Sequence, residues 1–258
     1  RGLGDVYKRQ IRGNMKNYQN PFKTLTKLEW MIWIISLIII SISFLLFTNK
    51  NIITLFASLI GVTALIFIAK GDPLGQFLTI IFAIFYSIIS FKYKYYGEMI
   101  TYVGMTAPIA LLTTISWFKN PYEKGKNEIK VSTIRFTTLI IILFLTLIVT
   151  IGFYFILKYF NTSHLFISTI SIATSFFAST LTFLRSPYYG IAYGMNDVVL
   201  IILWILATIA DNSNFPMIIC FIAFLVNDCY GFINWQKIKH RQTITTKKGE
   251  TIDESHSY

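Results

Sequence analysis

Eight long apolar stretches dominate this sequence and limit what the chain can fold into. Each approaches the roughly 20 residues that an α-helix needs to cross the hydrocarbon core of a membrane. Backbone polar groups find no water there, so a spanning segment satisfies them internally and is helical. The predicted spans are residues 30–47, 52–69, 74–91, 97–118, 136–160, 164–184, 189–209 and 215–235. We therefore predict an all-α polytopic membrane protein.

The composition agrees with a membrane protein. Of 258 residues, 54% are hydrophobic and only 14% are charged, whereas about 25% of the residues in a soluble domain are charged. This balance excludes a disordered chain, a disulfide scaffold and most soluble enzymes. Cys220 and Cys229 lie in apolar sequence without metal-ligand spacing, so we expect them to be packing residues.

The first residues differ from the rest of the chain. Residues 1–14 lack an initiator methionine and do not share the periodicity that follows. They resemble a non-native leader, so we expect the native chain to start at Met15 and residues 15–29 to form its N-terminal segment. The first predicted span lacks a small-residue cleavage site and is long enough to cross a membrane, unlike a secretory signal peptide.

Basic residues are distributed unevenly between the two sides of the predicted bundle. With eight spans, both termini lie on one side, which carries 15 Lys and Arg against four on the other. Loops rich in Lys and Arg stay in the cytoplasm, so we expect both termini to be cytoplasmic in a multi-pass protein of the cell membrane. This accounts for the net charge of +11 without a nucleic-acid partner. The basic tail, residues 236–258, is predicted to be disordered.

The chain also contains an internal repeat. A basic residue and a proline precede the third span, at Lys70, and the seventh, at Arg185; tryptophans close the fourth and eighth spans, at Trp117 and Trp235. From basic residue to tryptophan is 47 residues in the first part and 50 in the second. Two three-helix units joined by one crossing helix are parallel repeats, typical of transporters with a substrate site between the units. The predicted parts are an extra helix 30–47, unit 52–118, basic loop 119–135, linker helix 136–160 and unit 164–235.

Polar residues inside spans are candidates for function. Asn196 and Asp197 lie in the seventh span, and Asn227 and Asp228 in the eighth. At about 1.5 Å per residue, both pairs lie roughly 10–12 Å below the inner boundary, where they could line a single cavity. Two readings stay open, because such residues either contact a substrate or form hydrogen bonds between helices.

The first unit offers fewer polar groups. Gln76 and Tyr86 lie in the third span, and Glu98, at the outer mouth of the fourth, is either solvated or involved in gating or coupling. Pro108 removes a backbone hydrogen bond and could act as a hinge. Trp204 lies inside the seventh span, as a packing residue or a stacking group for a planar ring. Tyr102 and Thr106 add polar groups to the fourth span.

No catalytic constellation is visible in the sequence. The three histidines, His164, His240 and His256, are scattered, and no Cys, Ser or acidic pair has the spacing of a nucleophile or a metal site. No phosphate-cradling glycine loop is present to drive pumping. We therefore predict no enzyme activity, no cofactor and no metal. A membrane enzyme or an assembly partner remains the weaker alternative.

Three motifs follow one another along the chain: Tyr-Tyr-Gly-Glu-Met-Ile-Thr-Tyr at 95–102, Tyr-Gly-Met-Asn at 193–196 and Asn-Asp-Cys-Tyr-Gly-Phe-Ile-Asn-Trp at 227–235. In this order they resemble motifs of the PnuC family of nicotinamide riboside transporters. The resemblance extends from about residue 22 to residue 239. It implies the 3+1+3 helix plan shared with SWEET-like proteins, here with one additional N-terminal helix. It also implies a homotrimer that takes up the NAD precursor nicotinamide riboside by facilitated diffusion. A cytoplasmic riboside kinase then phosphorylates the riboside and so traps it in the cell.

The resemblance further assigns substrate contacts by position. It implies polar contacts from Gln76, Asn196 and Asn227 and stacking contacts from Tyr86, Tyr193 and Trp204. Tyr193 stands where many relatives have tryptophan. The substrate could therefore be another ribosyl vitamin, a nucleoside or a sugar, carried with proton coupling through Asp197 or Asp228.

Overall fold

The computed structural model describes Gly13 and residues 18–47, 52–92, 96–123 and 125–255, with side chains placed as far as Thr245. The predicted leader, apart from Gly13, and the predicted start at Met15 lie outside the described residues. Within the described part, eight helices are long and apolar enough to cross a membrane, which confirms the predicted all-α membrane protein. The chain is therefore a multi-pass membrane protein.

The helices match the predicted spans closely, except at the C-terminal end. Short 3₁₀ turns, Pro21–Thr24 and Asn212–Asn214, precede the first and last helices. The helices are α1 Lys27–Phe47, α2 Ile52–Ala69, α3 Pro73–Lys92, α4 Tyr96–Lys119, α5 Phe136–Tyr159, α6 Leu165–Phe183, α7 Tyr189–Ala210 and α8 Phe215–Ser255.

The prediction of a disordered segment directly after Trp235 is wrong, because α8 continues through this region. Gln242, only 6% exposed, holds the continuation against the loop between α4 and α5. Its Nε2 donates to the carbonyl of Ile129 at 3.0 Å, and its Oε1 accepts from the amide of Val131 at 2.9 Å. Arg241 also pairs with Glu128. The part of α8 after Trp235 is therefore polar because its side chains bind the loop between α4 and α5.

Helix α4 changes geometry near its middle. Residues Tyr96–Thr101 are α-helical, Tyr102–Thr106 form a π-helical turn, and Ala107–Lys119 return to α-helix. Pro108 has no N–H to bond the carbonyl four residues earlier, and the widened turn lies just before it. An irregular turn thus lies just before the proline, and the hinge expected at Pro108 stays a prediction.

Six helices surround the centre of the molecule. Helix α3 packs between α2 and α4, and α7 packs between α6 and α8. The two groups join where α8 contacts α2 and where α4 contacts α6. Helix α1 packs on α2 and α8, whereas α5 packs mainly on α6 and buries only Ile142 and Leu157. Helices α1 and α5 therefore lie outside the central group.

Two turns, between α2 and α3 and between α6 and α7, share one backbone design. We call them the inner turns, after the side of the bundle that loop charge predicts to be cytoplasmic. Gly71 and Arg185 adopt left-handed conformations with φ of 67° and 58°. The next residues, Asp72 and Ser186, each donate their amide to the carbonyl five residues earlier at 2.9 Å. Their side chains each accept from the amide two residues later. Both turns are thus closed helix ends that lead into a proline.

Two tryptophans link the helix group α2–α4 to the helix group α6–α8, near the inner turns. Trp117 Nε1, on α4, donates to the carbonyl of Thr182 at the end of α6 at 3.2 Å. Trp235 Nε1, on α8, donates to the carbonyl of Ile68 at the end of α2 at 2.9 Å. The indole rings contact each other with centroids 5.6 Å apart. Each tryptophan therefore bonds a helix of the other group.

The loop between α4 and α5 crosses the same face. The amide of Ile129 donates to the carbonyl of Gly71 at 3.1 Å, and the amide of Ser132 donates to the carbonyl of Arg185 at 3.0 Å. These acceptors are the left-handed residues of the two inner turns. The loop therefore ties both turns together with backbone hydrogen bonds.

Candidate functional site

A central cavity lies between the six helices of the central group, α2–α4 and α6–α8, and every one of them contributes to its wall. Small and apolar residues of α2 form one side, and polar residues of α6 and α7 form the opposite side. The lining residues are Gly61, Ala64, Leu65, Ile68, Thr79, Phe82, Tyr102, Thr106, Ser175, Ser179, Tyr193, Asn196, Asp197, Leu200, Phe221, Phe224 and Asp228.

The polar side of the cavity is held in place by hydrogen bonds between α6 and α7. Thr174 Oγ1 donates to Asn196 Oδ1 at 2.9 Å, and the hydroxyl groups of Ser179 and Tyr193 lie 2.9 Å apart. The first bond uses the carbonyl of the Asn196 amide and leaves its N–H₂ group as a donor. This wall thus presents a fixed amide donor and a phenol to the cavity.

Two carboxyl groups meet on the cavity wall where α7 packs on α8. Asp197 and Asp228 are neighbours, each 3% exposed. The contact is close because Gly190 lets the helices approach: a Cβ there would lie 2.6 Å from the backbone oxygen of Asp228. Adjacent buried carboxylates need a proton or a cation to compensate their charge. The pair is thus suited to holding positive charge.

The two Asn-Asp pairs do not share one orientation. Asn196, Asp197 and Asp228 line the cavity, but Asn227 faces α1. Its Nδ2 donates to Ser36 Oγ at 3.1 Å and to the carbonyl of Ala223 at 2.8 Å. Consecutive helical residues point about 100° apart, so Asp228 and Asn227 face different neighbours. The expectation that all four residues line one cavity is therefore wrong for Asn227.

The predicted stacking residues occupy separate positions. Tyr193 lines the cavity, whereas Tyr86 lies behind its wall with its ring centroid 4.3 Å from that of the lining residue Tyr102. Trp204 Nε1 donates to the Tyr86 hydroxyl at 3.1 Å, which joins α7 to α3. These buried rings form an aromatic layer, defined here as Tyr86, Tyr102 and Trp204, on the outer side of the cavity.

Three further predicted residues lie away from the central cavity. Gln76 is buried on α3 outside the lining, and Pro108 is exposed on α4. Glu98 lines a separate pocket on the far side of the aromatic layer, together with Trp204. The structure therefore gathers Tyr193, Asn196, Asp197 and Asp228 at one site and leaves the other predicted residues around it.

The comparisons with known proteins give this geometry a family. The family model described as nicotinamide mononucleotide transporter matches residues 51–237, most of the chain. The chain belongs to this family. It is therefore a membrane transporter and not an enzyme.

A relative and a solved structure agree with this assignment. The nicotinamide riboside transporter PnuC of Neisseria mucosa is 19% identical over 216 residues, which cover 82% of each chain. A crystal structure of the vitamin B3 transporter PnuC covers 94% of this chain and 100% of its own, with a TM-score of 0.75 and 19% identity. At this identity the solved structure shows a shared fold.

Several polar residues of the cavity were not predicted. Ser175 and Ser179 on α6 and Thr79 on α3 line its wall. A signal for the serines was present, because buried Ser and Thr recur along α6 at intervals of three or four residues. These residues are Ser168, Ser171, Ser175, Ser179 and Thr182. This spacing places them on one buried face.

Proposed function

We propose that this protein carries nicotinamide riboside into the cell through the central cavity. The observation that supports this most directly is the polar wall of Asn196 and the Asp197–Asp228 pair, enclosed within a fold of this transporter family. The riboside has a cationic pyridinium ring, a carboxamide and ribose hydroxyls. Paired carboxyls suit the cation, and an amide suits the carboxamide or a hydroxyl.

The charge of the cavity favours the riboside over the mononucleotide. The described lining residues include two acids but no Lys, Arg or His. A phosphate group in such a site would lack the cationic partners that usually bind phosphate and would face two carboxyls. The family description names the mononucleotide, whereas the curated relative is named for the riboside. The acidic lining of the cavity supports the riboside as the substrate.

Within this proposal, α2–α4 and α6–α8 are two parallel three-helix repeats, α5 is the linker, and α1 is an additional helix. The equivalent inner turns and the reciprocal bonds of Trp117 and Trp235 support this 3+1+3 plan. Parallel repeats with a site between them are suited to alternating access, in which one unit rocks against the other.

We further propose facilitated diffusion, with a cytoplasmic riboside kinase trapping the product. We also propose that both termini lie inside the cell. The basic loop 119–135 and the basic C-terminal part of α8 support this orientation, because loops rich in Lys and Arg stay in the cytoplasm. We also propose that the protein assembles as a homotrimer, as the family resemblance implies.

Uptake into liposomes tests substrate and site together. We expect purified, reconstituted protein to equilibrate labelled nicotinamide riboside, and to accumulate it when a riboside kinase and ATP are enclosed. Mononucleotide, thiamine and ribose should enter much more slowly. Transport of mononucleotide but not of riboside would overturn the choice of substrate.

A matched pair of asparagine variants locates the site. Asn196→Ala removes the amide that lines the cavity, whereas Asn227→Ala removes an amide that faces Ser36 on α1. We expect only the first to weaken riboside binding, measured by calorimetry on folded protein in detergent. Equal loss of affinity in both variants would contradict this placement of the substrate.

Proton-coupled transport of another riboside or a sugar is the second candidate. The observation that favours it is the Asp197–Asp228 pair, which could exchange one proton with the two sides of the membrane. Uptake driven by a pH gradient and lost in Asp197→Asn and Asp228→Asn would establish this mechanism in place of facilitated diffusion.

A further inference from the structure

A second pocket lies on the outer side of the aromatic layer, between the ends of α4, α6 and α7. We call it the outer pocket. Its lining residues are Glu98, Thr162, Ser163, His164, Ser168, Leu203, Trp204 and Ala207. Trp204 is the link to the central cavity, because its indole N–H bonds Tyr86, which contacts the cavity residue Tyr102.

Close backbone approach builds the outer pocket. The turn between α5 and α6 contains two left-handed residues, Asn161 with φ of 50° and His164 with φ of 54°. It comes so near the start of α4 that a Cβ on Gly97 would lie 2.7 Å from Thr162 Oγ1 and 2.3 Å from Leu157 Cδ2. The glycine therefore lets hydroxyl groups of the turn reach the position of Glu98.

The carboxyl group of Glu98 has no compensation within the described residues. Its side chain is 5% exposed, and its Oε2 makes no hydrogen bond, although it borders the pocket. Thr162 Oγ1, in the same pocket, also lacks a partner. The ion pairs of the described residues lie elsewhere, on the loops and helix ends of the inner face. A buried, unpaired carboxylate is costly unless a positive charge joins it.

The outer pocket has a volume of about 10 Å³ in this structure, room for about one water molecule, so a ring can bind only in a state where its helices have moved apart. In such a state, the wall at Trp204 suits a ring that carries this charge. Trp204 is fixed by its bond to Tyr86 and borders the same pocket as Glu98. A carboxylate beside an indole attracts a planar cation through charge pairing and through cation–π contact. The unpartnered Thr162 hydroxyl in the same pocket could donate a hydrogen bond to a polar substituent, or accept one from it.

We propose that the outer pocket is a capture site, where the cationic ring of the substrate pairs with Glu98 and Trp204 before it passes the aromatic layer into the central cavity. This inference rests on the proposed function, because the pyridinium ring of nicotinamide riboside is the cation that it requires. Glu98 then determines how well the protein collects dilute substrate, and the central cavity determines equilibrium affinity.

The test compares Glu98→Gln with Asp211→Asn. Both changes remove one acidic charge, but Asp211 is exposed between α7 and α8 and its carboxyl caps Ser213. We expect Glu98→Gln to raise the KM for riboside influx about tenfold, the size of a cation–π or charge contact, with kcat nearly unchanged. The calorimetric Kd of the central cavity should change less than about twofold, and Asp211→Asn should behave as wild type.

A competitor separates the ring from other cations. 1-Methylnicotinamide, a cationic ring without ribose, should inhibit influx in wild type and about tenfold less strongly in Glu98→Gln, whereas uncharged nicotinamide should act equally on both. Replacing external sodium with N-methylglucamine should leave wild-type influx unchanged. Sodium-dependent influx that disappears in Glu98→Gln would overturn the proposal in favour of an inorganic cation.

The remaining outcomes are also decisive. Unchanged KM in Glu98→Gln would show that the acid only packs, and KM and Kd rising together would place its effect in the central cavity. Either result would overturn the capture site while leaving the proposed function intact. A wild-type protein that moves no riboside would instead defeat the proposed function, and this inference with it.

Discussion

Helices α6 and α7 meet the central cavity with different chemistry from α2 and α3. The first pair presents Tyr193, Asn196 and Asp197 together with serine hydroxyls, whereas the second presents mainly Gly61 and Phe82 with aliphatic neighbours. The two inner turns nevertheless share a left-handed residue at the same position, the same closing hydrogen bond, and a side chain that accepts from the amide two residues later. A common scaffold thus carries two different walls.

Under the proposed function, this difference separates recognition from movement. The shared turns and tryptophan bonds set how the two helix groups contact each other, so in that proposal they concern the movement that alternating access requires. The unequal walls concern the ligand, because one side offers directional hydrogen bonds and the other an apolar surface. Substitutions at equivalent positions can therefore test the two tasks independently.

The largest difference is expected between Asn196→Leu and Phe82→Leu. These residues lie 114 residues apart, as do Ser186 and Asp72 in the two inner turns, and both line the cavity. Asn196→Leu removes the amide and leaves substrate polar groups unpaired, so kcat/KM for riboside uptake should fall about 100-fold. Phe82→Leu keeps an apolar wall and should cost less than about tenfold. Equal losses would mean that the walls do not differ in recognition.

The next effect concerns the close helix contacts in each half. A Cβ on Gly75 would lie 2.5 Å from the amide nitrogen of Ile68, and one on Gly190 would lie 2.6 Å from the backbone oxygen of Asp228. Because backbone cannot move aside as a side chain can, Gly75→Ala and Gly190→Ala should each destabilise the protein by about 1–3 kcal/mol. Thermal unfolding in detergent measures this.

Gly152 on α5 provides the control for these two variants. Nothing lies within 4 Å of a Cβ placed there, so Gly152→Ala should be neutral or slightly stabilising because alanine favours helix. A stable Gly190→Ala protein would show that α7 and α8 tolerate wider separation than the structure indicates.

Much of the fold could be predicted because a bilayer permits few alternatives. Apolar length set the spans. The division into two units, inferred from the tryptophans at 117 and 235, stays a prediction, which the reciprocal bonds of these residues support. Helical pattern could not determine the direction of each polar group. Asn227 faces α1 because a serine at position 36, distant in sequence, is placed beside it.

The site was harder to predict for the same reason. Asn196 and Asp197 stand out as polar groups in an apolar span, but Ser175 and Ser179 resemble ordinary small packing residues until α6 and α7 come together. The continuation of α8 was missed because polar residues such as Gln242 suggest solvent unless their loop partner is known. Long-range pairing supplied what local composition lacked.

The reciprocal tryptophan bonds allow a test of equivalence. Trp117→Phe and Trp235→Phe each remove an indole N–H that bonds a carbonyl of the other half, and both rings are fully buried. Each change should cost about 1–2 kcal/mol in stability, because a buried acceptor loses its donor. Thermal unfolding of both single variants and the double variant would measure it. A cost confined to one tryptophan would argue against equivalent roles.

The smallest effect concerns the side chains that cap the inner turns, an acid at Asp72 and a hydroxyl at Ser186. Burial raises the pKa of the Asp72 carboxyl above its usual range, although hydrogen bonds from Tyr18, the Leu74 amide and Asn127 oppose this shift. A folded-state pKa above the unfolded value means that stability from this group is present at low pH and is lost as pH rises through the folded pKa. Asp72→Ser should lack this dependence.

We therefore expect the wild type to gain stability relative to Asp72→Ser as pH falls through the raised folded pKa of Asp72 towards the ordinary aspartate value, by less than about 1 kcal/mol. Unfolding temperatures in detergent across this range measure the difference. Asp211→Ser is the control of opposite sign: the Ser213 amide lowers the pKa of the exposed Asp211 carboxyl, so the advantage of wild type over that variant shrinks as pH falls through the folded and unfolded pKa values. If the advantage of wild type over Asp72→Ser instead grows with rising pH, the hydrogen bonds to Asp72 outweigh its burial, and the charged carboxylate caps this turn better than a hydroxyl does.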